Sequence, residues 1–402
     1  MSTEEIIEIA EKHLMGNVSR YPLALVRGRG MQLWDAEGRQ YTDFLAGIAT
    51  CALGYAPEIV VRALAGQAAK LIHVSNYFYT EPLVRLAALL TGSSGLGKVF
   101  FGNSGAEANE AAIKLARKYS RDLYGPGRHG LITARGSFHG RTLGTISATG
   151  QAKVKEGFEP LLPGFTHVPF GDVEALRAAV GPETCAVMLE PVQGESGVIV
   201  PPPDYLPRVA ELCAENRLLL ILDEVQTGLG RTGRPYGFMH YEGLKPHIIT
   251  LAKALGGGVA TGAMLAVDEV AGHLSPGSHS TTVGGAPLAM AVGLVMAETI
   301  LEGGFLAQVQ ETGAYFLDRL KETARELGPD LAREARGQGL LLALELTRPA
   351  GPVVAEMIKR GFIVNATAGA VLRFAPPLIV AKADIDRMIP VLKEAVKTVY
   401  PA

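Results

Sequence analysis

The sequence predicts an α/β fold: a large domain built on a mostly parallel central sheet, followed by a smaller C-terminal α/β domain. Three observations carry this. Apolar runs at Ala186–Leu189, Leu218–Leu222 and Ile248–Leu251 are short and are followed by the charges Glu190, Asp223 and Lys253. Such runs, without polar alternation, mark parallel strands buried on both faces. Helical stretches at 106–118 and 205–215 separate them, and the composition shifts near Glu302, where a second alternation of short strands and helices begins. The expected division is an N-terminal segment over 1–55 packing with the C-terminal domain, a large domain over 56–300 and a small one over 301–402.

The totals set bounds on function. The chain has 402 residues, enough for two or three domains with substantial cores. A formal charge of −2, with the charges spread along the chain, gives no reason to expect nucleic acid or an anionic membrane as partner. Cys51, Cys185 and Cys213 are far apart and odd in number, which fits a reducing cytosol better than a disulfide framework. The acidic start, MSTEEIIEIAEKHLM, lacks a signal-peptide apolar core, and no apolar stretch is long enough to span a bilayer. A cytoplasmic location is expected. The histidines show no HxxxH or HExxH arrangement, and no metal site is expected.

Taken in order, residues 4–15 read as an amphipathic helix, and LALVRGRGMQLWDAEGRQYTDFLAG as a small meander with turns at Gly28–Gly30 and Ala36–Gly38. A helical pattern over Ile59–Leu71 leads to the aromatic loop HVSNYFYTEP, equally readable as packing or as a site lining, and then to a helix over Leu83–Leu90. In KVFFGNSGAEANEAAIKLARKYS, a strand at Val99–Phe101, a turn at Asn103-Ser104-Gly105 and a helix from Ala106 aim free backbone N–H groups and a helix dipole at one point. A phosphate fits there, although many α/β units turn this way without a ligand. A strand at Leu131–Ala134 precedes Phe138, His139 and Arg141 on a Gly-rich loop, where a ring can stack on a planar ligand and a guanidinium can take a carboxylate. Arg141 alone would read as a solvated surface charge.

Strand Ala186–Leu189 ends in Glu190, with Glu195 following in a Gly-flanked turn. Together with Asp223 and Lys253, this gives three strand ends carrying an acid or an amine. In open α/β sheets such ends face the ligand crevice. A lysine at the edge of an apolar pocket can lose its proton and form a Schiff base, and a nearby carboxylate suits the pyridinium nitrogen of pyridoxal phosphate. The simpler reading makes Lys253 a snorkelling strand-end lysine and Asp223 a helix cap.

Gly228-Leu229-Gly230-Arg231-Thr232-Gly233 satisfies GxGxxG but is followed by Arg234-Pro235-Tyr236-Gly237, which cannot form the body of a helix. A dinucleotide fingerprint needs that helix and a later strand-end acid, so a dehydrogenase is rejected. After Lys253 come glycines, a strand in TGAMLAV, and a polar loop with Thr281 and Thr282 that runs into an apolar helix; the threonines suit an anion contact or a helix cap. The second half has an amphipathic helix from Phe305 to Leu327, strands at Leu340–Leu346, Phe362–Val364 and Val371–Phe374, and helices at Val353–Arg360 and Asp384–Val399, the last expected to kink at Pro390. Arg373 is a charge inside a strand and needs a partner, either Glu195 or a substrate carboxylate.

The motifs FFGNSGAEANEAAIKLAR, FHGRTLG, EPVQGESGV, LDEVQTGLGRTG, TLAKALGGG and LRFAPPLIV, in this order, resemble the class III pyridoxal-phosphate-dependent aminotransferases, most closely those acting on N-acetylornithine. The resemblance spans nearly the whole chain. It implies fold type I, a homodimer with the site at the subunit interface, and transfer of an ω-amino group to 2-oxoglutarate in arginine biosynthesis. It implies that Lys253 bonds the cofactor aldehyde and later moves the proton, while Asp223 pairs with the pyridinium nitrogen. Ser104, Gly105 and Ala106 would hold the phosphate, Phe138 and Val225 the two ring faces, and Gln226 the ring hydroxyl. Thr282 would reach the phosphate of the neighbouring subunit and Thr281 its substrate. Arg141 and Arg373 would bind substrate carboxylates, with Glu195 covering Arg373 when the donor has a single carboxylate. Departures at Val18, Tyr77, Val283 and Ala286, and LGYAPE where LGH-x-HP is usual, bear on the donor rather than on the cofactor.

Overall fold

A computed structural model describes residues 1–401. Its main feature is a seven-stranded sheet of β1 (Lys98–Gly102), β2 (Gly130–Ala134), β3 (Phe165–Val168), β4 (Thr184–Leu189), β5 (Leu219–Asp223), β6 (Ile248–Leu251) and β7 (Gly262–Ala266). The spatial order is β1-β7-β6-β5-β4-β2-β3; β7 runs antiparallel to both of its neighbours and the other pairings are parallel. The expected mostly parallel sheet is present, and every residue of β4 to β7 is buried.

The period-2 geometry of a strand explains why these runs are apolar throughout. Leu219 and Ile221 pack on one face against Ala112, Leu115 and Ala116 of the helix Gly105–Tyr124. Leu220 and Leu222 join the opposite core, which holds Leu206 and Val209 of the helix Tyr205–Glu215 and Met290 and Met296 of the helix Pro287–Ile300. With both faces covered, a polar side chain has room only at the strand ends.

The N-terminal meander of Leu25–Arg29, Gln32–Asp35 and Gln40–Asp43 is completed by Phe362–Ile363, which pairs parallel with the third strand across more than 300 residues of sequence. The C-terminal part holds an antiparallel sheet in the order Ala332–Gln338, Leu341–Leu346, Val371–Phe374, Asn365–Thr367, covered by the helix Gly303–Leu327, against which Lys382–Val399 packs in turn. The last helix continues through Pro390 as one element, with Met388, Ile389 and Leu392 buried on either side of the proline. Packing of its apolar face offsets the lost donor.

Several elements had no counterpart in the expected set: strands Phe165–Val168, Ala332–Gln338 and Asn365–Thr367, and helices Leu143–Ala148 and Val173–Ala179. Ala332–Gln338 reads AREARGQ, too polar for an apolar run, because at the sheet edge only Ala332 is fully buried. Among the described residues no single helix is long and apolar enough to cross a membrane; Pro287–Ile300 and Gly303–Leu327 reach that composition only as a pair, bent by 69°.

Candidate active site

The ends of β4, β5 and β6 lie side by side and deliver Glu190, Asp223 and Lys253 to one cavity of about 460 Å³. Ser104, Gly105 and Ala106 line the same cavity, as do Phe138, Arg141, Glu195, Val225 and Gln226. Residues as far apart in sequence as Ser104 and Lys253 therefore meet there.

Asp223 lines the cavity and is 4% exposed. Its Oδ2 accepts from Asn109 Nδ2 at 2.7 Å and lies 2.8 Å from His139 Nδ1, and its Oδ1 accepts the Val225 N–H at 3.0 Å. Asn109 is fixed in turn, since it donates to the His139 carbonyl at 2.7 Å and accepts from Thr250 Oγ1 at 2.6 Å. Asp223 is the last residue of β5 and is followed by a turn, not by a helix, so the capping alternative falls away.

Lys253 opens a short 3-10 turn just beyond β6, with a backbone φ of +39°. A non-glycine residue in the left-handed region is costly and is held there by its surroundings. Burial lowers its ammonium to about 8; the nearby Glu195, Asp223 and Glu190 charges oppose that shift, and Arg373 adds to it. An amine in this range supplies both a nucleophile and a base near neutral pH.

The Ser104 turn caps the helix Gly105–Tyr124, with Ser104 Oγ accepting the Glu107 N–H at 3.1 Å. Glu107 Oε2 accepts from both the backbone and side-chain nitrogens of Asn103 at 2.8 Å, which tightens the turn. The Gly105 and Ala106 N–H groups belong to the first helical turn and have no acceptor within the helix. A Cβ on Gly105 would stand 2.9 Å from Val225 Cγ1, so glycine keeps the turn and the Val225 wall in contact.

Glu195 and Arg373 meet at 2.5 Å, and Arg373 also donates to Asn365 Oδ1 at 3.0 Å and to the Gly194 carbonyl at 3.2 Å. Burial pushes the Glu195 carboxyl up, but the Arg373 and Lys253 charges and hydrogen bonds from Arg373 and Gln226 outweigh it and leave it lowered. Gln226 donates to Glu195 at 3.2 Å, while its buried Oε1 has no partner. Arg141 is exposed at the mouth, its guanidinium 5.5 Å from the Phe138 ring centroid.

Two expected residues stand apart from this cavity. Thr281 accepts from Asn103 Nδ2 at 3.0 Å behind the turn, and Thr282 is exposed on the surface; neither lines the cavity of its own chain. Sequence reasoning had also not assigned roles to Asn109 or to the His139–Asp223 contact, and had noted Glu190 only as a strand-end acid. Glu190 accepts the Phe138 N–H at 3.2 Å; burial and then the Asp223 charge push its carboxyl well above the usual range. The signal for Asn109 was present but faint: an amide on the buried face of an Ala-rich helix.

A family model described as aminotransferase class-III matches residues 15–396. The chain is 49% identical over 385 residues to an acetylornithine aminotransferase of Myxococcus xanthus, covering 96% of each chain. It is 44% identical over 390 residues to a Pseudomonas aeruginosa protein named succinylornithine transaminase/acetylornithine aminotransferase, covering 96% of this chain and 95% of the relative. Among solved structures, an ornithine aminotransferase of Toxoplasma gondii superposes with a TM-score of 0.94 at 33% identity, covering 99% of this chain and 96% of that one. Another structure of that enzyme, with a TM-score of 0.93 at 33% identity and covering 98% of this chain and 94% of that one, has PLP in partial occupancy at the active site.

Proposed function

The chain belongs to the class III aminotransferases, and from that premise we propose that it is a pyridoxal-phosphate enzyme moving the terminal amino group of N-acetylornithine to 2-oxoglutarate. The observation that carries the reading is the pair at the ends of adjacent parallel strands, Asp223 held by three donors and Lys253 with its amine lowered to about 8.

The residues fit the cofactor. The missing Cβ at Gly105, the first-turn N–H groups and the unpartnered Gln226 Oε1 suit, respectively, close backbone approach, a phosphate and a ring hydroxyl. Ser104, Gly105 and Ala106 would hold the phosphate, Phe138 and Val225 the two ring faces, and Asp223 the pyridinium nitrogen. Bound there, pyridoxal phosphate supplies an aldehyde for amine exchange and a ring that takes up electron density.

The protein's own groups do the rest. Asn109 and His139 orient the Asp223 carboxylate, and the carboxylate favours a charged nitrogen opposite it. Lys253 would bond the cofactor aldehyde and, as a free amine, would serve as the base that holds and moves the proton taken from the substrate carbon. Arg141 and Arg373 bind substrate carboxylates. Glu195 neutralises Arg373 while a donor with one carboxylate is bound, and swings away to admit the dicarboxylate 2-oxoglutarate. Thr282 of the partner subunit completes the phosphate site, which makes the working unit a homodimer; a cytoplasmic location belongs to the same reading.

Two measurements test it. Borohydride reduction and peptide mapping should place a phosphopyridoxyl group on Lys253; a label elsewhere, or none, rejects the site. A donor panel with 2-oxoglutarate should give the highest kcat/KM for N-acetylornithine, and a higher value for ornithine or 4-aminobutyrate rejects the substrate. N-succinylornithine is the second reading, favoured by the doubly named relative in P. aeruginosa.

A further inference from the structure

A second cavity of about 460 Å³ lies at the far end of the helix Gly105–Tyr124 from the Ser104 turn, and cations line it: Lys114, Arg117, Lys118, Arg121 and Arg128 face a single carboxylate, Asp122. The first four are spaced i, i+3, i+4 and i+7 and so form one stripe along the helix. Like charges at this spacing repel one another and disfavour the helix. Cations near a helix C-terminus do complement its dipole, but that accounts for the last turn, where Arg121 lies, and not for Lys114 or Arg117.

Of these cations, only Lys118 meets a carboxylate among the described residues. Lys118 pairs with Asp122 at 2.8 Å, and the same carboxylate also takes His273 Nδ1 at 2.8 Å. Arg117 donates to the carbonyls of His129 and Pro163 at 3.0 and 2.9 Å. Arg128 donates to the carbonyls of Thr184, Asn216 and Arg217 and packs 4.3 Å from the centroid of the Tyr124 ring. Lys114 reaches the Ser278 carbonyl and the His279 ring, while its i−4 neighbour Glu110 is turned away to Thr142, Gly144 and Thr145. Carbonyl partners fix these side chains in place and leave their charge uncompensated. The Arg121 guanidinium has no hydrogen-bond or ion-pair partner among the described residues, and the residue is exposed at the rim. Rigid cations around a concave site, with one free guanidinium at its edge, are the features of a multivalent-anion site.

We propose that this cavity binds a small phosphate-bearing anion, with Arg117, Arg128 and Lys114 as its fixed wall and Arg121 as the closing clamp. The site is separate from the active-site cavity and stands whether or not the substrate assignment holds, since its readout is binding alone.

The test is calorimetric titration of the pyridoxal-phosphate-loaded protein, freed of excess cofactor, with inorganic tripolyphosphate and with adenosine triphosphate. Either should bind once per chain, with a Kd in the micromolar to low millimolar range at low salt that weakens as salt is added. Equal affinities point to inorganic phosphate and tighter nucleotide binding to an organic source. Arg121→Glu should weaken binding by about tenfold or more, whereas Lys397→Glu, at an exposed lysine on the C-terminal helix, should not. No saturation by about 10 mM of either probe overturns the proposal. So does an unchanged affinity in Arg121→Glu, or an equal loss in Lys397→Glu, which would mark diffuse attraction. Circular dichroism of Arg121→Glu at wild-type intensity keeps misfolding out of the comparison.

Discussion

Lys253 joins two unfavourable conditions in one residue, a left-handed backbone and an amine lowered to about 8 by burial. The second has a thermodynamic signature. A lysine whose folded value is about 8, against 10.5 unfolded, binds fewer protons in the folded state between those limits. Stability of the cofactor-free protein therefore rises with pH through that window, and at pH 7 the charged amine costs about 3 kcal/mol. Lys253→Met should abolish transamination. It should also stabilise the cofactor-free protein near pH 7, with the gain shrinking between about pH 8 and 10.5. A stability difference independent of pH would mean the amine is not desolvated. At the neighbouring ion pair, Glu195→Ala leaves Arg373 without its acid, which favours dicarboxylates. Activity toward glutamate should rise relative to N-acetylornithine by about tenfold, and equal changes in both half-reactions would count against a switching role.

At the scale of elements, the loop from Glu224 to Phe238 shows why glycines that imitate a dinucleotide site have another purpose. Glu224 is buried directly beside Asp223 and accepts from Thr227 Oγ1 and from the Gly237 and Phe238 N–H groups at 2.8 and 2.7 Å. Burial and the Asp223 charge push its carboxyl up to about 7 against those hydrogen bonds. The loop is thus pinned to the end of β5 by one side chain. Glu224→Ala should orphan two buried N–H groups and cost about 2–5 kcal/mol in denaturant unfolding, whereas Glu224→Gln keeps an acceptor and should lose about half as much or less. Equal losses would show that the carboxylate charge, not its acceptor role, holds the loop. Apolar runs made β4, β5 and β6 legible in the sequence, because burial on both faces leaves no room for polar residues. The turn at Ser104 was legible from its glycine and the helix behind it. Asn109 and His139 were not: they reach Asp223 across 114 and 84 residues, and no local pattern records such a meeting. Ala332–Gln338 escaped for the opposite reason, since an edge strand that is only partly buried has little need of hydrophobic residues.

On the scale of the whole molecule, the two halves are tied by buried groups near the site. Phe362–Ile363 completes the N-terminal sheet, and Arg231, 1% exposed, donates to the carbonyls of Leu340 at 3.0 Å and Pro376 at 2.6 Å. One surface nevertheless stays apolar. Tyr77 and Tyr79 are 91% and 94% exposed on the loop that reaches Thr281 through Asn76, and Val283 is 49% exposed beside Thr282. Large aromatic side chains left in water around a threonine that its own cavity does not use are what a subunit contact would cover. The proposed homodimer therefore predicts coupling between assembly and cofactor affinity. Light scattering should give twice the chain mass for the wild type. The double substitution Tyr79→Asp and Val283→Asp places two buried charges in each copy of the contact, so it should yield a monomer. Losing Thr282 of the partner subunit should then weaken pyridoxal phosphate binding by about tenfold or more, while Thr282→Ala alone should weaken the cofactor and leave the dimer intact. A monomeric wild type, or a monomeric double variant with undiminished cofactor affinity, would remove Thr282 from the phosphate site and leave each cavity to act alone.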